Sequence, residues 1–144
     1  MTAKLALHQR AVQAIRSTLR ARHGLLSKAM PITKCPFDLL VGGKARIEVK
    51  TTETPVRQKN TDILNYKFRL SRHGALATGQ ADFFVLRVPP IQALGMRYAL
   101  YLIVPASEIE HRHTVHVTPR NLITKWAASV NRWNLIAEAC RCDG

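Results

Sequence analysis

The stretch from Pro36 to Thr51, PFDLLVGGKARIEVKT, decides the fold. Residues 37–41 and 46–50 are typical of two short strands, with apolar side chains at Phe37, Leu39, Leu40, Val41, Ile47 and Val49. Gly42-Gly43 between them is a hairpin turn signal, because glycine adopts the positive φ angles that tight hairpin turns require. The sequence therefore predicts an antiparallel strand pair, in which two acidic residues interrupt the apolar character.

Those acidic residues, Asp38 and Glu48, are predicted to converge with Lys50. Residues i and i+2 of a strand share a face, so Glu48 and Lys50 project together, and the hairpin brings Asp38 alongside them. Two carboxylates suit Mg²⁺, with Mn²⁺ as a substitute, because such an ion binds one or two carboxylates together with substrate phosphates. Lys50 would orient or activate the attacking water and offset developing negative charge. The alternative is a solvated hairpin with a cross-strand ion pair worth at most about 1 kcal/mol.

The charge balance predicts a polyanionic partner. The chain has 144 residues, with 22 Lys and Arg against 9 Asp and Glu, and a formal net charge of +13. Such a surface attracts nucleic acid, and Arg pairs with phosphate through two parallel hydrogen bonds. A ribosome-like basic surface and a tether to anionic lipid are the alternatives. No apolar run has the roughly 18 residues of a membrane helix and no signal-peptide pattern is present, so we expect an intracellular protein without a membrane partner.

The remaining patterns predict one domain over residues 1–144, in the order helix, strands, helix. A helix is expected over 5–22, ending at Gly24. Further strands are expected over 25–30, 66–71, 82–88, 98–104 and 111–117. A C-terminal helical extension is expected from about 119, mostly helical to 140, with one apolar face formed by Trp126, Val130, Trp133 and Ala137. This order indicates an α/β or α+β protein.

Pro36-Phe37-Asp38 and Ile47-Glu48-Val49-Lys50-Thr51 resemble the signature of the PD-(D/E)XK nuclease superfamily. The resemblance covers roughly residues 5–110 and is closest to small single-domain members, such as the homing endonucleases of this fold and the archaeal Holliday-junction resolvases. It implies a restriction-endonuclease-like α/β core, with a mixed central sheet flanked by helices. It also implies divalent-metal-dependent hydrolysis of DNA phosphodiesters by a homodimer or homotetramer that cuts both strands.

The first helix departs from this family. Many members carry a Glu there as a further metal ligand, whereas residues 1–37 of this chain contain no acid. Gln13, with Gln9 one turn earlier, is the candidate for that place, where its amide would ligate weakly or hydrogen-bond a metal-bound water. The alternative is that Gln13 is an ordinary solvated helix residue.

Basic residues that follow the hairpin are expected to bind the DNA backbone. They are Arg57, Lys59, Lys67, Arg69, Arg72 and His73. Tyr66 or Phe68 would touch sugar or base, and the alternative is a solvated basic face with both aromatics in the core. His111, His113 and His116 are expected to form a partly protonated basic patch near a phosphate rather than a zinc site.

The leading hypothesis is a metal-dependent DNA endonuclease in which Asp38 and Glu48 bind Mg²⁺ and Lys50 assists the attacking water. The alternative is a non-catalytic, basic nucleic-acid-binding module that keeps a nuclease-like fold. An enzyme needs all three residues, whereas a binding module depends on the Arg and Lys surface. Nothing in the sequence separates a sequence-specific target from a structure-specific one, because no reading helix is identifiable.

Overall fold

The structure, a computed structural model, describes residues 2–31, 35–52, 55–57, 63–71 and 74–141. The helices are α1 (Ala3–His23), α2 (Ala106–Ile109), α3 (Pro119–Leu122) and α4 (Asn134–Arg141), with 3₁₀ turns at Gln92–Leu94 and Ala127–Ser129. The strands are β1 (Ser27–Ala29), β2 (Leu39–Val41), β3 (Ala45–Thr51), β4 (Val56–Arg57), β5 (Leu64–Arg69), β6 (Phe83–Val88), β7 (Leu100–Pro105) and β8 (Thr114–Val117).

The strands form two sheets. The larger has the order β1-β2-β3-β6-β7, in which β3 and β6 are parallel and the other neighbours antiparallel. The smaller is antiparallel, with the order β4-β5-β8. Helices flank the mixed central sheet, and the predicted α/β class is confirmed.

Helix α1 confirms the first predicted element, although it begins two residues earlier. The Thr2 hydroxyl accepts a hydrogen bond from the Leu5 N–H at 3.1 Å and so satisfies one of the unpaired N–H groups of the first turn. Gly24 ends the helix in the left-handed conformation, with φ of 63°. The buried residues of α1 recur at helical spacing: Leu7, Ala11, Val12, Ile15 and Leu19. All of them except Leu7 belong to the core on one face of the central sheet.

The predicted hairpin is present. Gly42 and Gly43 have φ of 58° and 68°, and Leu39 pairs with Ile47 across the two strands. Successive residues of β3 then face opposite sides of the sheet. Val49 packs in the core beneath α1, whereas Glu48 pairs in register with Phe84, which belongs to the core between the two sheets.

An ion pair joins the beginnings of the two parallel strands. Arg46 Nη2 lies 3.2 Å from Asp82 Oδ1, and the Arg46 backbone N–H donates to Asp82 Oδ2 at 2.8 Å. Burial raises the pKa of Asp82, but hydrogen bonds from the side chain and backbone of Arg46 outweigh it and hold that pKa below its usual value. The pair therefore helps set the register of β3 against β6.

The C-terminal segment corrects the prediction of a mostly helical stretch to residue 140. Helix begins at Pro119 but ends at Leu122, and regular α-helix resumes only at Asn134. Between them, Val130 forms an antiparallel bridge with Leu102 of the edge strand β7.

The two tryptophans explain why one helix cannot form here. Trp126 lies in the core between the sheets, whereas Trp133 lies in the core beneath α1, on the opposite face of the central sheet. A spacing of seven residues in one helix would put both on the same side. The chain instead passes the sheet edge through a 3₁₀ turn at Ala127–Ser129, the bridge residue Val130, and Asn131 in the left-handed conformation with φ of 49°. Both tryptophans are core residues.

Within the described residues, no helix is long and apolar enough to span a bilayer.

Candidate active site

Asp38 lies immediately before β2, where β3 continues past its neighbour. Its backbone N–H donates to the Ile47 carbonyl at 2.8 Å, which extends the hairpin ladder by one residue. Two residues farther along β3, where β2 no longer provides a backbone partner, the Val49 N–H donates to Asp38 Oδ2 at 2.7 Å. The Asp38 carboxylate therefore replaces the backbone acceptor of a neighbouring strand, and this hydrogen bond fixes its position.

Glu48 and Lys50 lie beside it on one face of β3. Glu48 is 3 % exposed and is the one charged residue buried in the described part of the chain. Lys50 Nζ lies 3.2 Å from Glu48 Oε1. A buried carboxylate is costly without a cationic partner, so Lys50 is part of the reason that Glu48 can be buried at all. The hairpin thus brings together the three side chains that the sequence spacing placed on one side of the strand pair.

His8 of α1 is a fourth member of the cluster, and sequence reasoning missed it. Its Nε2 lies 3.4 Å from Asp38 Oδ1. The hydrogen bond with Asp38 raises the pKa of His8 above its usual value, burial opposes this, and the charges of Asp38 and Glu48 add to the rise. The helix therefore supplies a basic group at the carboxylate pair rather than an acidic one.

Gln13, the sequence candidate on this helix, is not brought to the cluster. It is exposed, and its Oε1 accepts a hydrogen bond from Arg16 Nη1 at 3.4 Å. It lies five residues beyond His8, about 7.5 Å farther along the helix axis, and on a different side of the helix. The alternative interpretation of Gln13 as a solvated helix residue fits the structure, and its assignment to the site does not.

The cluster opens into a cleft of about 760 Å³. Its walls are formed by the N-terminal part of α1, by the end of β3, and by Lys67 and Arg69 of β5. Arg57 is exposed on β4 and does not line the cleft. Three of the predicted DNA-binding residues, Lys59, Arg72 and His73, lie outside the described residues. The cleft therefore combines two carboxylates with a cationic wall.

The aromatic residues of β5 point away from this cleft. Tyr66 and Phe68 are 5 % and 1 % exposed and belong to the core between the sheets. Residues of a strand alternate between faces, so the exposure of Lys67 and Arg69 requires the aromatics to face inward. The expectation that Tyr66 or Phe68 touches sugar or base is wrong, and the alternative that places them in the core is correct.

The donor set of the cleft suits a hard divalent cation. No three His, Cys, Asp or Glu side chains of the described residues group closely enough to hold a metal ion by themselves. Mg²⁺ does not need such a cage, because it is held by one or two carboxylates plus water and substrate phosphates. Asp38 and Glu48 supply that number of carboxylates.

The fold is similar to that of a bacterial homing endonuclease, I-Ssp6803I. The TM-score is 0.57 at 14% sequence identity, and the similarity covers 92% of this chain and 93% of that one. Neither a protein-family model nor a curated protein matches the sequence. At this level of identity the similarity concerns the architecture, so the chemistry has to be argued from the cleft itself.

Proposed function

We propose that this chain is a metal-dependent DNA endonuclease of the PD-(D/E)XK type. The observation that carries the proposal is the meeting of Asp38, Glu48 and Lys50 at the edge of β3, in a cleft whose wall carries Lys67 and Arg69. Similarity of fold to a protein described as a homing endonuclease supports the same reaction class.

Asp38 and Glu48 are the residues that would hold the cation, Mg²⁺ or Mn²⁺. Both supply the oxygen ligands that such ions prefer, and both face the same cleft. When bound, the cation supplies positive charge against the phosphoryl oxygens and favours ionisation of water at neutral pH.

The protein's own side chains orient and stabilise the reacting groups. Lys50 Nζ donates hydrogen bonds to the attacking water and to the phosphate, where negative charge increases in the transition state. Lys67 and Arg69 bind the flanking phosphates, which fixes the DNA backbone in register with the carboxylates. His8 holds the Asp38 carboxylate in its orientation through the 3.4 Å contact.

One cleft cuts one strand, so cleavage of a duplex needs two clefts. We therefore propose that the active form is a homodimer or homotetramer on DNA. Light scattering of the protein with and without a duplex tests this point, and a monomer on a duplex that is cut on both strands would contradict it.

The alternative is a non-catalytic nucleic-acid-binding module. It is favoured by one observation, which is that each carboxylate of the cleft already has a basic partner within the protein: His8 for Asp38 and Lys50 for Glu48. In such a module the cluster would only stabilise the fold, and DNA binding would depend on the basic wall.

Cleavage of linear and branched duplexes in Mg²⁺ separates the two functions. We expect wild type to cut and both Asp38→Asn and Lys50→Met to lose at least about a hundredfold in rate, because each removes an interaction made in the transition state. Glu108→Gln and Lys28→Met are matched controls, since both residues are exposed and lie outside the cleft. Salt-sensitive binding by a wild type that never cuts would instead support the binding module.

A further inference from the structure

Arg87 of β6 is a cation without a partner among the described residues. It is partly buried, and no described side chain or backbone group forms an ion pair or hydrogen bond with its guanidinium. Its neighbours in register on the two adjoining strands are Thr51 and Tyr101, which are both uncharged. Taking a guanidinium partly out of water costs free energy unless an anion compensates for it. The surroundings of Arg87 are therefore those of a group that binds an anion from outside the protein.

Arg87 and Lys50 flank the end of β3 from opposite faces of the central sheet. Strand residues two apart share a face, so Arg87 lies on the same side as Val85, which belongs to the core beneath α1. Lys50 and Glu48 lie on the other side, toward the core between the two sheets. Arg87 is in register with Thr51, the residue after Lys50, and adjacent strands are about 4.8 Å apart. The guanidinium is therefore close to the cleft in the sheet but on its α1 side.

Two further polar side chains on the α1 side line the cleft. Thr51 is the last residue of β3 and shares its face with Arg87. Lys4 of α1 lies one helical turn before His8, on the same side of the helix. It is exposed, and it forms no ion pair with any described residue. The α1 side of the cleft thus presents two cations and a hydroxyl.

We propose that Arg87, Thr51 and Lys4 form a second phosphate site, which binds the DNA strand on the α1 side of the two carboxylates. The Arg87 guanidinium donates two parallel hydrogen bonds to one phosphate, and Lys4 adds a second positive charge. Groups on opposite faces of a sheet are about 10 Å apart and successive phosphates rise by about 3.4 Å, so the site lies within about three nucleotides of the cleaved linkage.

This inference rests on the proposed function for its ligand, and it adds the path of the bound strand. Lys67 and Arg69 belong to β5, which packs on the other face of the central sheet through the core between the sheets. The strand therefore crosses the end of β3 from β5 to α1, and phosphates on both sides of the cleaved linkage are held.

The salt dependence of DNA binding in metal-free buffer, measured by fluorescence anisotropy of a labelled duplex, tests the site without cleavage. We expect Arg87→Gln to weaken binding roughly tenfold and to reduce the slope of log affinity against log salt by about 0.9, for one lost phosphate contact. Arg112→Gln is the matched control and should bind like wild type. Arg112 is exposed and follows α2, which begins beside Asp82 at the opposite end of β6.

A neutral methylphosphonate linkage, placed at one position at a time in a duplex that wild type cuts, locates the contact. We expect one linkage at which Arg87→Gln binds as tightly as wild type, because the charge that Arg87 contacts is already absent. That linkage should lie on the other side of the cut from the linkage at which Lys67→Gln behaves in this way. A merely structural role for Arg87 would lower the affinity for every duplex alike, and that result would overturn the inference.

A folded Arg87→Gln with the affinity and slope of wild type also overturns the inference. Lys4→Met, at an exposed position, should likewise reduce the slope, and it decides the question if Arg87→Gln does not fold. A reduced slope in these variants, with a wild type that never cuts in Mg²⁺, would defeat the proposed function alone. Cleavage by wild type with an unchanged slope in both variants would defeat this inference alone.

Discussion

Removal of the imidazole at His8 should destabilise the protein in a pH-dependent way. The contact between His8 Nε2 and Asp38 Oδ1 is 3.4 Å long, with the two side chains 23% and 15% exposed. At an effective dielectric constant of about 20, the Coulomb attraction at this separation is about 5 kcal/mol, and desolvation of the two ions offsets most of it. We therefore expect His8→Ala to lower the free energy of unfolding by about 1–2 kcal/mol while the imidazole is protonated.

The direction of the pH dependence follows from the raised pKa of His8. Folded protein binds this proton more tightly than unfolded protein, so the stabilisation is fully present below the unfolded pKa of about 6.5 and is lost as pH rises through the folded pKa. Urea denaturation of wild type and His8→Ala in EDTA, near pH 6 and near pH 9, measures the difference. A difference that is constant or grows with pH would refute the ion pair, and His111→Ala controls for loss of an exposed histidine.

Three other perturbations test the fold and the basic wall. Asp82→Asn should lower the free energy of unfolding by no more than about 1 kcal/mol at neutral pH, because the ion pair between Arg46 and Asp82 is partly exposed. Since the pKa of Asp82 is lowered in the folded protein, this difference in the free energy of unfolding should disappear as the pH falls through that pKa. Gly42→Ala should destabilise the protein by about 1–2 kcal/mol because Gly42 has a positive φ. The effect should exceed that of Gly43→Ala, since the new Cβ would lie 3.2 Å from Cys140 Sγ of α4 at position 42 and near no other atom at position 43. Equal melting temperatures of the two variants would contradict this. Replacing Lys67 and Arg69 by Gln should reduce the slope of log affinity against log salt by about 0.9 per lost phosphate contact, as measured by fluorescence anisotropy of a labelled duplex.

Local sequence was sufficient to predict the part of the site that the hairpin builds. Asp38, Glu48 and Lys50 meet because two glycines turn the chain and strand residues alternate between faces, and both rules act over a few residues. His8 could not be found in this way, because its contact with Asp38 depends on how α1 packs across β3. A basic side chain at the edge of the buried helical stripe, between Leu7 and Ala11, was the available signal.

The C-terminal segment shows the same limit on a larger scale. Its apolar residues recur at helical spacing, but Trp126 and Trp133 fill cores on opposite faces of one sheet. Periodicity reports which residues are buried and carries no information about which side of a sheet they occupy. Only the path of the chain past β7 determines that the helical pattern must be interrupted.

The proposed chemistry requires that Asp38 and Glu48 together bind a divalent cation. A crystal soaked in Mn²⁺ and measured at the manganese absorption edge tests it directly, with an Asp38→Asn crystal as the control. We predict an anomalous peak in contact with a carboxylate oxygen of each residue in wild type, and none in the variant. Saturating Mn²⁺ with no peak in the cleft, or with the same peak in both crystals, would contradict it.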